Sequence, residues 1–161
     1  MLRTTRPAAV LIALLALLAV VAGLRSNASA QTPAGRTFTL TELDKGSTFT
    51  HIRNTKGASR RSNQMGDVLA FTNPVADASG KRVGKLSMGC TTTTGARNFM
   101  HSTITCAGVM ALDDGDLTVQ ANVSLDSDTA TGAVTGGTGA YANARGVVVS
   151  TGGKDTITLA G

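Results

Sequence analysis

Along 117–125 apolar and polar side chains alternate without a break. Leu117, Val119, Ala121, Val123 and Leu125 fall on one face, and Thr118, Gln120, Asn122 and Ser124 on the other. Successive side chains of an extended strand point to opposite faces, so this period of two predicts a strand with one buried face. Residues 100–112 alternate less cleanly, with Ile104, Cys106, Met110 and Leu112 on one face and His101, Thr103 and Thr105 opposite. Between the two runs stands Asp113-Asp114-Gly115. Glycine accepts a positive φ and aspartate bonds its own neighbouring backbone, so this tripeptide predicts a hairpin turn. Further strands are predicted at 36–42, 68–72, 83–93, 133–135, 146–151 and 155–159. Short strands joined by Gly- and Asn-containing turns predict an all-β antiparallel domain, either a barrel or a sandwich. A barrel has the merit of leaving no exposed edge.

The first thirty residues follow a different pattern. Arg3 and Arg6 precede an apolar run over 8–22, and Ala28-Ser29-Ala30 supplies a small-x-small cleavage pattern. That arrangement predicts a secretory signal peptide over 1–30, removed to leave a single domain over 31–161. The apolar run is shorter than the roughly 20 residues that a membrane-spanning helix needs, so no stable membrane insertion is expected after cleavage. Removing Arg3, Arg6 and Arg25 lowers the formal charge from +5 to +2, which argues against a nucleic-acid partner. The local basic cluster of Arg53, Lys56, Arg60 and Arg61 is interleaved with Gly57, Ser59, Ser62 and Asn63 and reads as a solvated loop. With four Phe, one Tyr and no Trp, the chain also lacks the stacking aromatics of sugar faces and single-strand platforms.

Cys90 shares a face with Leu86 and Met88, and Cys106 shares one with Ile104 and Met110. A hairpin turn within 95–101 would be centred on Asn98, midway between the cysteines, and would set them nearly opposite each other on adjacent strands. In an oxidising compartment a Cys90–Cys106 disulfide is the simplest outcome. A buried pair of free thiols is the alternative.

Sequence motifs exclude more chemistry than they offer. Gly137-Thr138-Gly139-Ala140-Tyr141-Ala142 matches the dinucleotide pattern G-x-G-x-x-A, but a strand-like Val147-Val148-Val149 follows where a helix is required. Gly136, Gly137 and Gly139 read instead as a structural turn that Arg145 fixes by a local bond. The two histidines, His51 and His101, are too few for a convincing metal site, and Asp113, Asp114 and Asp116 do not have the spacing of a calcium loop. No G-x-S-x-G elbow is present, and Glu42 is the only glutamate, so paired carboxylates cannot be picked out. No metal and no cofactor are expected.

Three segments nevertheless occur together in a recognisable order. They are Gly66-Asp67-Val68 running to Phe71-Thr72-Asn73, then Lys81-Arg82-Val83-Gly84 leading to Gly89-Cys90, then Gly136-Gly137-Thr138-Gly139 with Tyr141, Ala144, Arg145 and Gly146. In this the chain resembles the allene oxide cyclase/dirigent-like β-barrel family, over about 66–151, with a weaker likeness back to Glu42-Leu43-Asp44. The resemblance implies an eight-stranded antiparallel barrel with an apolar interior, often assembled as a homotrimer. Plant allene oxide cyclases bind an unsaturated fatty-acid epoxide, anchor its oxygen through a held water, steer charge with a glutamate and impose a folded conformer. Dirigent relatives bind phenolic radicals or quinone methides and bias their coupling.

Carried onto this chain, the resemblance makes Asn73 and Ser47 the polar anchors of a ligand and Cys90 a pocket cysteine. The family's glutamate, second asparagine and proline fall at Thr39, Thr41 and Thr48, none of which can steer a cation. Two functions are therefore expected. One is a secreted barrel that binds a small apolar or phenolic molecule and biases its cyclisation or stereochemistry. The other is a non-catalytic extracellular binding or structural module on the same barrel.

Overall fold

The computed structural model describes residues 35–54, 59 and 61–161. The signal peptide expected over 1–30, and Lys56 and Arg60 of the basic cluster, lie outside these residues. Among the described residues nine strands make one sheet: β1 (Thr37–Glu42), β2 (Thr48–Ile52), β3 (Val68–Ala76), β4 (Arg82–Thr94), β5 (Thr103–Leu112), β6 (Gly115–Ser124), β7 (Thr129–Gly137), β8 (Gly146–Thr151) and β9 (Lys154–Leu159). Every pairing is antiparallel. From β3 to β9 each strand pairs with its neighbour in sequence, then β9 pairs with β1, and β1 closes the ring onto β3. The result is a closed eight-stranded barrel with β2 as an extra strand, and the choice between barrel and sandwich is resolved.

β1 and β2 occupy one lane beside β3. β1 pairs with its C-terminal end (Glu42 opposite Val75) and β2 with its N-terminal part (Thr48 opposite Thr72). Pro74 sits at the break between them. It has no N–H to offer a ladder, but its carbonyl accepts from the Leu43 amide at 2.8 Å, on the side where the two strands change over. A proline inside β3 is thus tolerated because no neighbour there needs its missing donor.

The alternation read along 117–125 is the barrel's inside-and-outside pattern. Leu117 and Val119 are buried, as are Leu40 of β1, Val75 of β3, Leu86 of β4, Met110 of β5, Val134 of β7, Val148 of β8 and Ile157 and Leu159 of β9. Each strand of the ring contributes to this cluster, which fills one half of the barrel. Tyr141, on a 3-10 turn at Gly139–Tyr141, packs against the same cluster and plugs that end. A second cluster of Leu69, Cys90, Ile104 and Cys106 lies further along β3, β4 and β5. Cys90 and Cys106 are directly opposite and joined in a disulfide. Among the described residues no helix is long and apolar enough to cross a membrane.

Candidate functional site

Beyond the packed half the barrel interior holds a cavity of ≈220 Å³. A water needs only about 10–15 Å³ of such space, so the cavity takes a small organic molecule. Its walls are the continuation of the inward stripes: Phe71, Met88, Ile104, Cys106, Val119, Ala121, Val123 and Val148 among them. Small side chains leave the room. Ala121 stands opposite Gly132 across β6 and β7, and both line the cavity.

Polar groups converge at one part of this wall. Asp155 on β9 stands opposite Ser150 on β8 and opposite Leu40 on β1. Glu42 is two residues beyond Leu40, on the same face, and is therefore the diagonal cross-strand neighbour of Asp155. Both carboxyls and Ser150 line the cavity. Asn73, on the adjacent β3, donates through Nδ2 to Oε2 of Glu42. Asp155 is 2% exposed, and its Oδ2 has no hydrogen-bond partner among the described residues. Burial is the main cause that pushes its pKa up from 3.8 to about 6; the Ser150 hydroxyl opposes this and the charge of Glu42 adds to it. Two carboxyls facing one apolar space, one of them with a free oxygen and a raised pKa, can hold, give or take a proton near neutral pH.

A second polar network holds the open end of the barrel in shape. Asp67 is fully buried and accepts from the amides of Asn54 at 2.7 Å and Gln64 at 3.0 Å, and contacts Nε2 of His51 at 3.0 Å. Burial alone would raise its pKa, yet these amides and His51 together hold it below its ordinary value. Asn63 donates to Oγ of Ser102 and accepts from Thr92, tying the 61–67 segment to β4 and to the connection before β5. At the opposite end, a Cβ on Gly137 would lie 2.4 Å from the Tyr141 carbonyl, and Gly139 adopts φ +57°. The turn therefore requires glycine at both positions. Arg145 donates to the Ala144 carbonyl at 2.7 Å, and Tyr141 donates to Asp114, with its pKa pushed up to about 12 by burial and then by Asp114. The glycine-rich motif thus builds the plug rather than a nucleotide cradle.

The model of the allene oxide cyclase barrel-like domain matches residues 47–156. The chain belongs to this family. No curated protein is detectably similar in sequence. Among solved structures the barrel is similar to pyocyanin demethylase (TM-score 0.60, 22% identity, covering 78% of this chain and 99% of that one). It is also similar to the pterocarpan synthase dirigent protein GePTS1 (TM-score 0.54, 19% identity, covering 78% and 80%). A third is a nonspecific heme-binding cyclase that catalyses a [4 + 2] cycloaddition during neoabyssomicin biosynthesis (TM-score 0.50, 15% identity, covering 99% and 81%). At these identities the likeness establishes the barrel, and the chemistry has to be argued from this chain's own residues.

Against the family pattern, the expected site residues separate. Asn73 reaches the cavity through Glu42. Ser47 lies in the exposed turn between β1 and β2, where its hydroxyl donates to the Leu43 carbonyl at 2.7 Å and fixes the turn. Cys90 is in the disulfide, and it is its partner Cys106 that lines the cavity. Thr39 belongs to the outward face of β1, between the core residues Phe38 and Leu40, so the expected glutamate position does not face the interior. The inward acid of β1 is Glu42. The sequence reading, with its single glutamate, found no paired carboxylates; the β1–β9 pairing supplies the second acid as Asp155. The signal was present in 155–159, where Asp155 shares the inward parity of Ile157 and Leu159, an acid on a strand's apolar face.

Proposed function

We propose that this is a secreted barrel that binds a small apolar or amphipathic molecule in its interior and biases that molecule's cyclisation or stereochemistry. The observation that carries this reading is the apolar cavity of ≈220 Å³ bounded by Glu42 and Asp155. A closed barrel with eight-fold hydrogen bonding is a rigid wall. It selects among folded conformers of a flexible ligand by shape, which is preorganisation rather than bond-making by the protein. The carboxyls then add charge and a proton at one fixed place, where low dielectric strengthens their effect. If the ligand reacts, the activity is that of an isomerase or cyclase. The disulfide agrees with export to an oxidising compartment, and the signal peptide over 1–30 would deliver it there.

A thermal-shift screen of the purified protein against polyenes, phenolics and fatty acids tests the reading, with Ala121→Leu as a cavity-filled control. The expected result is a saturable rise in Tm of several degrees for at least one class, lost in the control. A ligand that binds but returns unchanged in its isomer composition would leave the protein as a non-catalytic binding module. No shift by any compound would contradict binding altogether.

A further inference from the structure

We propose that the polar wall of the cavity seats a cation, and that the ligand is an amphiphile whose apolar body fills the barrel while its protonated amine lies against Asp155 and Glu42. This rests on the reading that the barrel binds a small molecule, and names the class of that molecule.

The charge inventory of the cavity makes the case. Among the described residues its lining includes two carboxyl side chains and no lysine, arginine or histidine. Buried carboxyls are ordinarily matched by a base, because an uncompensated charge in low dielectric is costly. Here the groups that face Asp155 do not match it. From β1 it meets Glu42, another acid, and from β8 it meets Ser150, a neutral hydroxyl. Lys154, next in the chain, belongs to the outer face with Thr39 and Thr41. Glu42 receives one neutral hydrogen bond from Asn73, which supplies a donor without charge. Asp155 lines the cavity, and its Oδ2, buried with the rest of the side chain, receives none among the described residues.

The missing partner has a defined chemistry. An ionised carboxylate accepts only, so the complementary group must donate. An ammonium offers three donors and one positive charge, matching in kind the acceptors that Asp155, Glu42 and Ser150 bring to the cavity wall. A neutral alcohol gives one donor without charge. A carboxylate head would bring a further negative charge against two acids and is excluded. The barrel is thereby read as selecting by charge as well as by shape, and as rejecting free fatty acids.

Octylamine, 1-octanol and octanoate share one chain length and differ in head group. Their affinities are measured by isothermal titration at pH 7.5, with Asp155→Asn and Glu42→Gln as variants. Octylamine is expected to bind about ten-fold or more tighter than octanol, and octanoate not to bind. Either variant should remove the advantage of the amine over the alcohol. At pH 5.5, titrations in buffers of different ionisation heat should show a proton released on octylamine binding, and this release should vanish in Asp155→Asn. Equal affinities for amine and alcohol, or an amine advantage that survives in both variants, would overturn the cation seat while leaving the apolar cavity in place. Failure of all three compounds to bind would overturn the cavity reading itself.

Discussion

Asp155 is held in a position that disfavours its charge, and this gives stability a definite dependence on pH. Its pKa stands at about 6 in the fold against 3.8 ordinarily. Between those values the folded chain keeps a proton that the unfolded chain has lost. The stabilisation is therefore full below pH 4 and is lost as pH rises through 6. A shift of that size corresponds to about 3 kcal/mol. Asp155→Asn should be close to neutral at pH 4 and stabilise by up to about 3 kcal/mol at pH 7.5, as read by urea unfolding at both values. An equal effect at the two pH values would show that the carboxyl does not titrate there. Asp67 has the opposite balance, since its backbone and His51 partners favour the charged form. Asp67→Ala strands the Asn54 and Gln64 amides and should cost about 2–4 kcal/mol; a loss under 0.5 kcal/mol would mean that the 61–67 segment is not pinned there. Of these residues the sequence pointed to Asn73 and to the Gly66-Asp67 motif. It did not point to Asp155, because its partner comes from a strand more than a hundred residues away and only the β1–β9 register brings them together.

At the level of elements, alternation was reliable where the inward residues pack against the core. β6 and β8 lie where the pattern puts them, and the Asp113-Asp114 turn joins β5 to β6 with Leu112 opposite Gly115. β2 was missed. Its sequence Thr48-Phe49-Thr50-His51-Ile52 shows no buried stripe, and Phe49 and Ile52 are 61% and 59% exposed, because it flanks the ring instead of closing it. β3 was read as ending at Thr72, short of Pro74, and β7 as only 133–135, within a run of Thr, Gly and Ala that carries little hydrophobic signal. Both run longer because neighbouring strands supply the pairing that composition does not. Leu117, fully buried in the core, should lose about 2–5 kcal/mol on substitution by alanine, measured by chemical denaturation. The disulfide joins β4 and β5 across a separation of 16 residues. Replacing both cysteines by alanine should cost about 3 kcal/mol by the chain-entropy relation, and a variant of unchanged Tm would show that the ladder alone fixes that hairpin.

The whole molecule divides into a packed half and a hollow half. Closure of β1 onto β3 fixes the ring, Tyr141 and the core cluster fill one end, and small residues such as Ala121 and Gly132 leave the other open inside. Composition could not distinguish a narrow filled barrel from a hollow one, because Ala, Gly, Thr and Val serve both; the difference lies in which of them face inward. The central claim is that the interior receives a ligand. Methyl-detected NMR of the protein, titrated with 1-octanol, tests it most directly. Saturable shifts are expected at Ile104, Val119, Val123 and Val148, with Ile52 and Val147 on the outer surface unmoved. Shifts confined to Ile52 and Val147, or no shifts at saturating octanol, would contradict it.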